Sequence, residues 1–395
     1  MRDERTLRLA FLAGVSTALA MAAILAAFAA WRLGLGSLGG AALTVALPRG
    51  GDAGDVDLPP LSPGQLQELI GLGAIVDNAE NPTGAPDHDN MLVRPDAERG
   101  YVLRPGSGVD AYMLASGQAL DLDPPVLYMP PGAAMSPSLR EYAERHTRLR
   151  YSFGVDARGF RRTLPEVESP RKVLMVGDSV LFGVGVDDEA TMASALQARV
   201  GSDVQIVNAG VGEYGTDEIH ATADVLSSRE RYEALVYVAC QNDFDEESPE
   251  AYLASASRML RELARLAPRF GGRVAVLLAT AMEHTLFDIL QEDGWPPELD
   301  AATTHLRAGL PAVAAGLGFA YVDWAELVAP TSQQEGTLFH RFALYVDHVH
   351  FSPLGNRLAA RELHRVLAGW GLGGSAAAAP SPTEPSEPER HPQAH

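Results

Sequence analysis

Apolar and polar positions divide the chain into a regular half and an irregular one. From Tyr151 onward, short apolar runs of strand length alternate with longer amphipathic stretches. Strands are predicted at Lys172 to Val176 (KVLMV), Val204 to Val207 (VQIV), Ala234 to Ala239 (ALVYVA), Val274 to Ala279 (VAVLLA) and Phe319 to Val322 (FAYV). Helices are predicted at Asp188 to Val200, Thr216 to Ser228, Pro249 to Leu266, Glu298 to Leu317 and Pro353 to Trp370. Strands that alternate with helices in this way specify a parallel sheet covered on both faces, so residues 151–372 are expected to form a three-layer α/β/α domain around a central five-stranded sheet.

The rest of the chain reads differently. Leu9 to Trp31 contains no charged residue and is long enough to cross a bilayer as a helix. Arg2, Arg5 and Arg8 precede it, and the segment that follows turns acidic at Asp52, Asp55 and Asp57, which favours an inside N-terminus and an exported remainder. The run exceeds the about 7 to 15 residues of a signal-peptide core, so a retained anchor at 9–31 is favoured over a cleaved signal peptide or a buried helix. Residues 1–8 would then be cytoplasmic and the Gly-, Ala-, Pro- and Asp-rich stretch 32–60 a stalk. Residues 61–150 form an accessory segment of irregular pattern, with short helices expected at Pro63 to Gly71 and Pro137 to Leu149. The low-complexity tail 373–395 is expected to be disordered. The expected location is the cell membrane, with the body on the periplasmic or extracellular side; secretion after signal cleavage is the alternative.

Composition narrows the function. The 395 residues carry a formal net charge of -20, and Lys172 is the only lysine. Nucleic acid is bound chiefly by basic side chains that displace its counterions, so it is not expected as a partner. Cys240 is the single cysteine, which excludes a disulfide framework.

In a parallel α/β sheet, ligands bind beyond the carboxyl ends of the strands. Gly177-Asp178-Ser179 follows the first strand, Asn208-Ala209-Gly210 the second and Gln241-Asn242-Asp243 the third, while Asp347-His348-Val349-His350 precedes the last helix. Each tripeptide alone is ordinary turn chemistry. Together they meet the needs of acyl transfer. A serine hydroxyl needs a base, and histidine has the suitable ordinary pKa of about 6.5. Asp347 can fix the tautomer of His350. The backbone N–H groups of Ser179 and Gly210, with the side-chain amide of Asn242, could receive the oxyanion.

These four blocks resemble those of the SGNH/GDSL-type serine hydrolases, named for a Ser, Gly, Asn and His in separate blocks. They read here as VGDSVLFGVGV, IVNAGVGEYGT, CQND and DHVHFSPLGNRLAA. YSFGVDARGFR (Tyr151 to Arg161) is also similar to a lead-in of exported members. The resemblance covers about Tyr151 to Trp370 and implies a flavodoxin-like three-layer fold, catalysis by Ser179, His350 and Asp347, an oxyanion hole of Ser179, Gly210 and Asn242, and no cofactor or metal. Cys240 departs from the usual glycine of the third block and would strain the backbone if that position required positive φ. The GxSxG elbow of the other large serine-hydrolase fold is absent around Ser179.

Several alternatives stay open. His348, His350, Asp347, Asp243 and Asp245 can be drawn as a metal cluster, although the fourth block accounts for two of them without an ion. Glu283 and His284 could shape specificity. The expected activity is hydrolysis of an O-acyl ester, such as an O-acetyl group on a glycan or small molecule. O-acetyl transfer to an envelope glycan, and non-catalytic binding of a glycan or partner, are the alternatives. Oligomeric state is not indicated.

Overall fold

The computed structural model describes residues 61–77, 89–114, 125–244, 248–281, 297–328 and 343–373, all within one compact unit, Asp55–His395. The expected N-terminus, anchor and stalk (1–8, 9–31 and 32–60), Asp245, Glu283, His284 and the tail beyond residue 373 lie outside the described residues. Among the described residues, no helix is long and apolar enough to cross a membrane.

In chain order the elements are α1 (Pro63–Leu72), β1 (Ile75–Asp77), β2 (Val93–Asp96), β3 (Gly100–Leu103), β4 (Gly108–Leu114), β5 (Val126–Met129), α2 (Pro137–His146) and β6 (Thr147–Gly154). They continue with β7 (Lys172–Gly177), α3 (Ser179–Phe182), α4 (Met192–Val200), β8 (Gln205–Asn208), α5 (Thr216–Arg229), β9 (Ala234–Cys240) and α6 (Pro249–Leu266). Last come β10 (Val274–Ala279), α7 (Pro297–Gly316), β11 (Ala320–Asp323) and α8 (Pro353–Gly369).

The five expected strands form one parallel sheet in the order β11-β10-β9-β7-β8. This is the flavodoxin-like order, with the first strand of the series between the second and the third. Successive side chains of a strand point to opposite faces. Leu174, Val176, Leu235, Tyr237, Val276 and Leu278 therefore pack with apolar residues of α5, α6 and α7, such as Ile219, Leu260 and Leu310. Val173, Met175, Val236, Val238, Ala275 and Leu277 pack with residues of α4 and α8, such as Leu196 and Leu363. The three layers follow from strands that are apolar on both sides.

Two helix expectations need correction. The helix expected at 188–200 is a 3-10 turn, Asp188–Ala190, followed by α4. Thr191 interrupts them in an extended conformation (φ -67°, ψ 157°) and caps α4 by accepting the Ser194 N–H at 3.1 Å. The helix expected at 137–149 ends at His146, because Thr147, Leu149, Tyr151 and Phe153 recur with period two and enter β6.

The accessory segment is more ordered than its pattern implied. A four-stranded antiparallel sheet, β1-β5-β4-β6, stands beside a hairpin of β2 and β3. Tyr112, Leu114, Leu127 and Met129 face Leu69 of α1 and Leu139 and Ala143 of α2. Val109, Ala111, Met113, Tyr128, Tyr151 and Phe153 join the same core as α5 to α7. A sheet buried on both sides loses the apolar-polar alternation that betrays a strand, which is why the segment reads as irregular. β6 runs through the expected boundary between Arg150 and Tyr151 and pairs with β4 on both sides of it.

Candidate active site

The crevice at the strand-order switch lies between β7 and β9, and the loops that leave these strands carry Ser179 and Asn242. Gly177 ends β7 where a Cβ would stand 2.7 Å from the Val238 carbonyl oxygen, so the two strands approach closely only because it has none. Asp178 then caps the one-turn helix α3, its Oδ1 accepting the Val180 N–H at 2.9 Å. Ser179 is the first residue of α3, and Gly183 closes the turn with φ 89°.

The lead-in is tied to this turn. Arg161 is fully buried between the rings of Phe153 and Phe182, 4.5 and 4.9 Å from their centroids. It donates to the Val186 carbonyl at 2.9 Å and pairs with Asp188 at 3.3 Å. Burial lowers its pKa to about 10, opposed by the carboxylate of Asp188, so the guanidinium remains charged at neutral pH.

Ser179, Asp347 and His350 meet. Ser179 Oγ lies 2.9 Å from His350 Nε2, and His350 Nδ1 lies 2.6 Å from Asp347 Oδ2. The other Asp347 oxygen accepts the N–H groups of Val349 and His350 at 2.9 and 2.7 Å. Burial pushes the Asp347 carboxyl up, but the charge and hydrogen bonds of His350 outweigh it and hold the pKa at about 2. A permanent carboxylate on Nδ1 leaves Nε2 to accept the Ser179 proton. The His350 side chain is 15% exposed and Asp347 4%, so the imidazole is reachable while the carboxylate is closed off.

The three expected oxyanion donors differ in state. Ser179 N–H has no hydrogen-bond partner among the described residues. Asn242 is exposed and its side chain bonds the Asp178 carboxylate. Gly210 departs from the expectation: its N–H donates to Asn208 Oδ1 at 3.0 Å. A Cβ there would lie 2.5 Å from Phe182 N and 3.0 Å from Leu181 C, so Gly210 lets its loop abut α3. The reason is local, because Asn208 is fully buried and its amide satisfies Leu181 O at 3.0 Å on one side and Gly210 N on the other.

Two further carboxylates stand behind the serine. Asp178, fully buried, lies 3.3 Å from Ser179 Oγ; burial raises its pKa against the hydrogen bonds of Val180 and Asn242. Asp243 receives the Tyr237 hydroxyl at 2.6 Å and the Cys240 N–H at 3.0 Å on one oxygen, while its other oxygen has no partner. Burial, then the charge of Asp178, drives its pKa well above the ordinary value. Cys240 is buried in the apolar face beside α4 and α8 with φ -117°, so no glycine-like strain arises there.

Sequence reasoning missed Tyr101 and Glu213. Tyr101 Oη donates to the Gly212 carbonyl at 2.8 Å across 111 positions, a contact without a local signal. A separate groove of about 980 Å³ between residues 155–170 and the β8 edge is lined by none of the Ser179, Asp347 or His350 side chains. Among the described residues, no three His, Cys, Asp or Glu side chains gather at a metal-binding spacing.

The parallel α/β sheet thus brings a serine, a histidine and an aspartate into line at its switch point. Residues 175–358 match the model of the GDSL-like Lipase/Acylhydrolase family. The protein is an ester hydrolase of the SGNH type. No curated protein matches the chain. Among solved structures it is similar to a member of the lipolytic protein G-D-S-L family from Veillonella parvula DSM 2008 (15% identity, 50% of this chain and 98% of that one, TM-score 0.39). It is also similar to Est24, a carbohydrate acetylesterase from Sinorhizobium meliloti (16% identity, 51% of this chain and 99% of that one, TM-score 0.38). Likenesses this remote do not bear on the substrate.

Proposed function

We propose that the protein cleaves an O-acyl ester, an O-acetyl group on a glycan or small molecule being the substrate class, with Ser179 as nucleophile, His350 as base and Asp347 as orienting acid. The observation that carries this reading is the unbroken chain from Ser179 Oγ through His350 to Asp347, at 2.9 and 2.6 Å. Ser179 Oγ attacks the ester carbonyl as its proton passes to His350 Nε2. The collapsing tetrahedral adduct expels the alkoxide, which takes that proton. Water, deprotonated by the same nitrogen, then releases the acid from the acyl-serine. Ser179 N–H and the Asn242 amide are the oxyanion donors in this reading, while Gly210 keeps its loop against the nucleophile turn. The net charge of -20 disfavours anionic esters.

The test is hydrolysis of p-nitrophenyl acetate by the folded protein. Ser179→Ala is expected to lower kcat at least about 1,000-fold without changing the Tm. A variant as active as wild type would remove Ser179 from the mechanism. The proposed location is outside the cytoplasm on a retained anchor at 9–31, supported by the uncharged run and its arginine flank. Protease added to intact cells should then release a soluble esterase domain.

A further inference from the structure

The loop from Gly210 to Gly215 joins the nucleophile turn to the Asn242 loop. At one end Gly210 presses on the backbone of α3; at the other, a Cβ on Gly215 would lie 3.8 Å from the Asp243 carbonyl oxygen. Between them sits Glu213, with φ 63° the sole non-glycine residue of positive φ among the described residues. A side chain in that conformation crowds its Cβ against backbone oxygen, so the loop needs outside support to keep it.

That support comes from one residue of the accessory hairpin. Tyr101 Oη donates to the carbonyl of Gly212 at 2.8 Å, just before Glu213. The hydroxyl of Tyr214, just after it, donates to the Tyr101 carbonyl. The two rings meet edge to face at 5.0 Å and both are buried. Both neighbours of the strained residue are therefore tied, by reciprocal hydrogen bonds, to a residue outside the α/β domain.

We propose that Tyr101 is a positioning residue of the Ser179 site: it clamps Gly212 and Tyr214, holds Glu213 in the left-handed conformation, and so fixes the loop wall shared by Ser179 and Asn242. The proposal rests on the Ser179 mechanism above. Removing the clamp lets Glu213 relax to negative φ and moves the wall, a displacement that costs turnover more than binding.

Three variants test it on p-nitrophenyl acetate. Tyr101→Phe is expected to lower kcat about tenfold with KM within about twofold of wild type. Glu213→Gly accepts positive φ without a clamp. The Tyr101→Phe/Glu213→Gly double variant should therefore turn over within about twofold of Glu213→Gly alone, a rescue that a purely structural tyrosine would not give. Tyr214→Phe removes the reciprocal bond and should give the same split, which decides the matter if Tyr101→Phe does not fold. Unchanged kcat in both phenylalanine variants, or no rescue by glycine, overturns the clamp while the Ser179→Ala result stands separately. Should wild type lack esterase activity, amide exchange over residues 210–215 decides: about tenfold faster exchange in Tyr101→Phe, reversed by Glu213→Gly, supports the clamp, and unchanged exchange refutes it.

Discussion

Asp243 closes the third sequence block, and burial and then Asp178 raise its pKa well above the ordinary value. A carboxyl raised on folding binds its proton in the native state while the unfolded chain has lost it. Stability therefore falls as pH rises from about 4 toward the native pKa, by about 1.4 kcal/mol per pH unit in that window. Asp243→Asn keeps an acceptor for Tyr237 and Cys240 and puts a donor where the other oxygen has no partner. Its Tm relative to wild type should climb with pH across that window; a gap independent of pH would show that Asp243 does not titrate there. Ser179, Asp347 and His350 were legible because each sits in a short motif whose neighbours fix it, as the Asp347 carboxylate does by binding the amides of Val349 and His350. Gly210 was expected as an oxyanion donor, and its N–H is instead taken by Asn208 Oδ1. Nothing in the string Asn-Ala-Gly says that a buried asparagine will take that amide.

At the scale of elements, the five parallel strands were legible to within one or two residues, since runs such as VAVLLA are apolar on both faces and of strand length. The accessory sheet was hidden by that same property, because VLYM at β5 is buried along its length and too short to be told from a loop. The turn that bears Ser179 depends on fits no pattern could reveal. Gly210→Ala places a methyl group 2.5 Å from Phe182 N, against backbone that cannot swing aside. The expected cost is about 1–3 kcal/mol, or a fall in Tm of about 2–4 °C for each kcal/mol. An alanine variant with wild-type Tm in a thermal melt would mean that the loop and α3 are not packed this closely.

Taken whole, the described residues share cores rather than divide at Arg150. Phe153 of β6 stacks edge to face on Phe182 of α3 at 5.0 Å, with Arg161 wedged against both. Chemical denaturation should accordingly give one transition, with tryptophan fluorescence and circular dichroism coinciding. Separate transitions for residues 61–154 and 155–373 would show that the accessory sheet is an independent module. The inner face of that sheet also sets a schedule for synthesis. Tyr128, Tyr151 and Phe153 leave the ribosome before Phe182, Tyr214 and Leu226, the residues that cover them. At roughly 5–20 residues per second the uncovered face waits several seconds for its partners. During that interval the uncovered face is open to chaperones, and to aggregation where none is at hand.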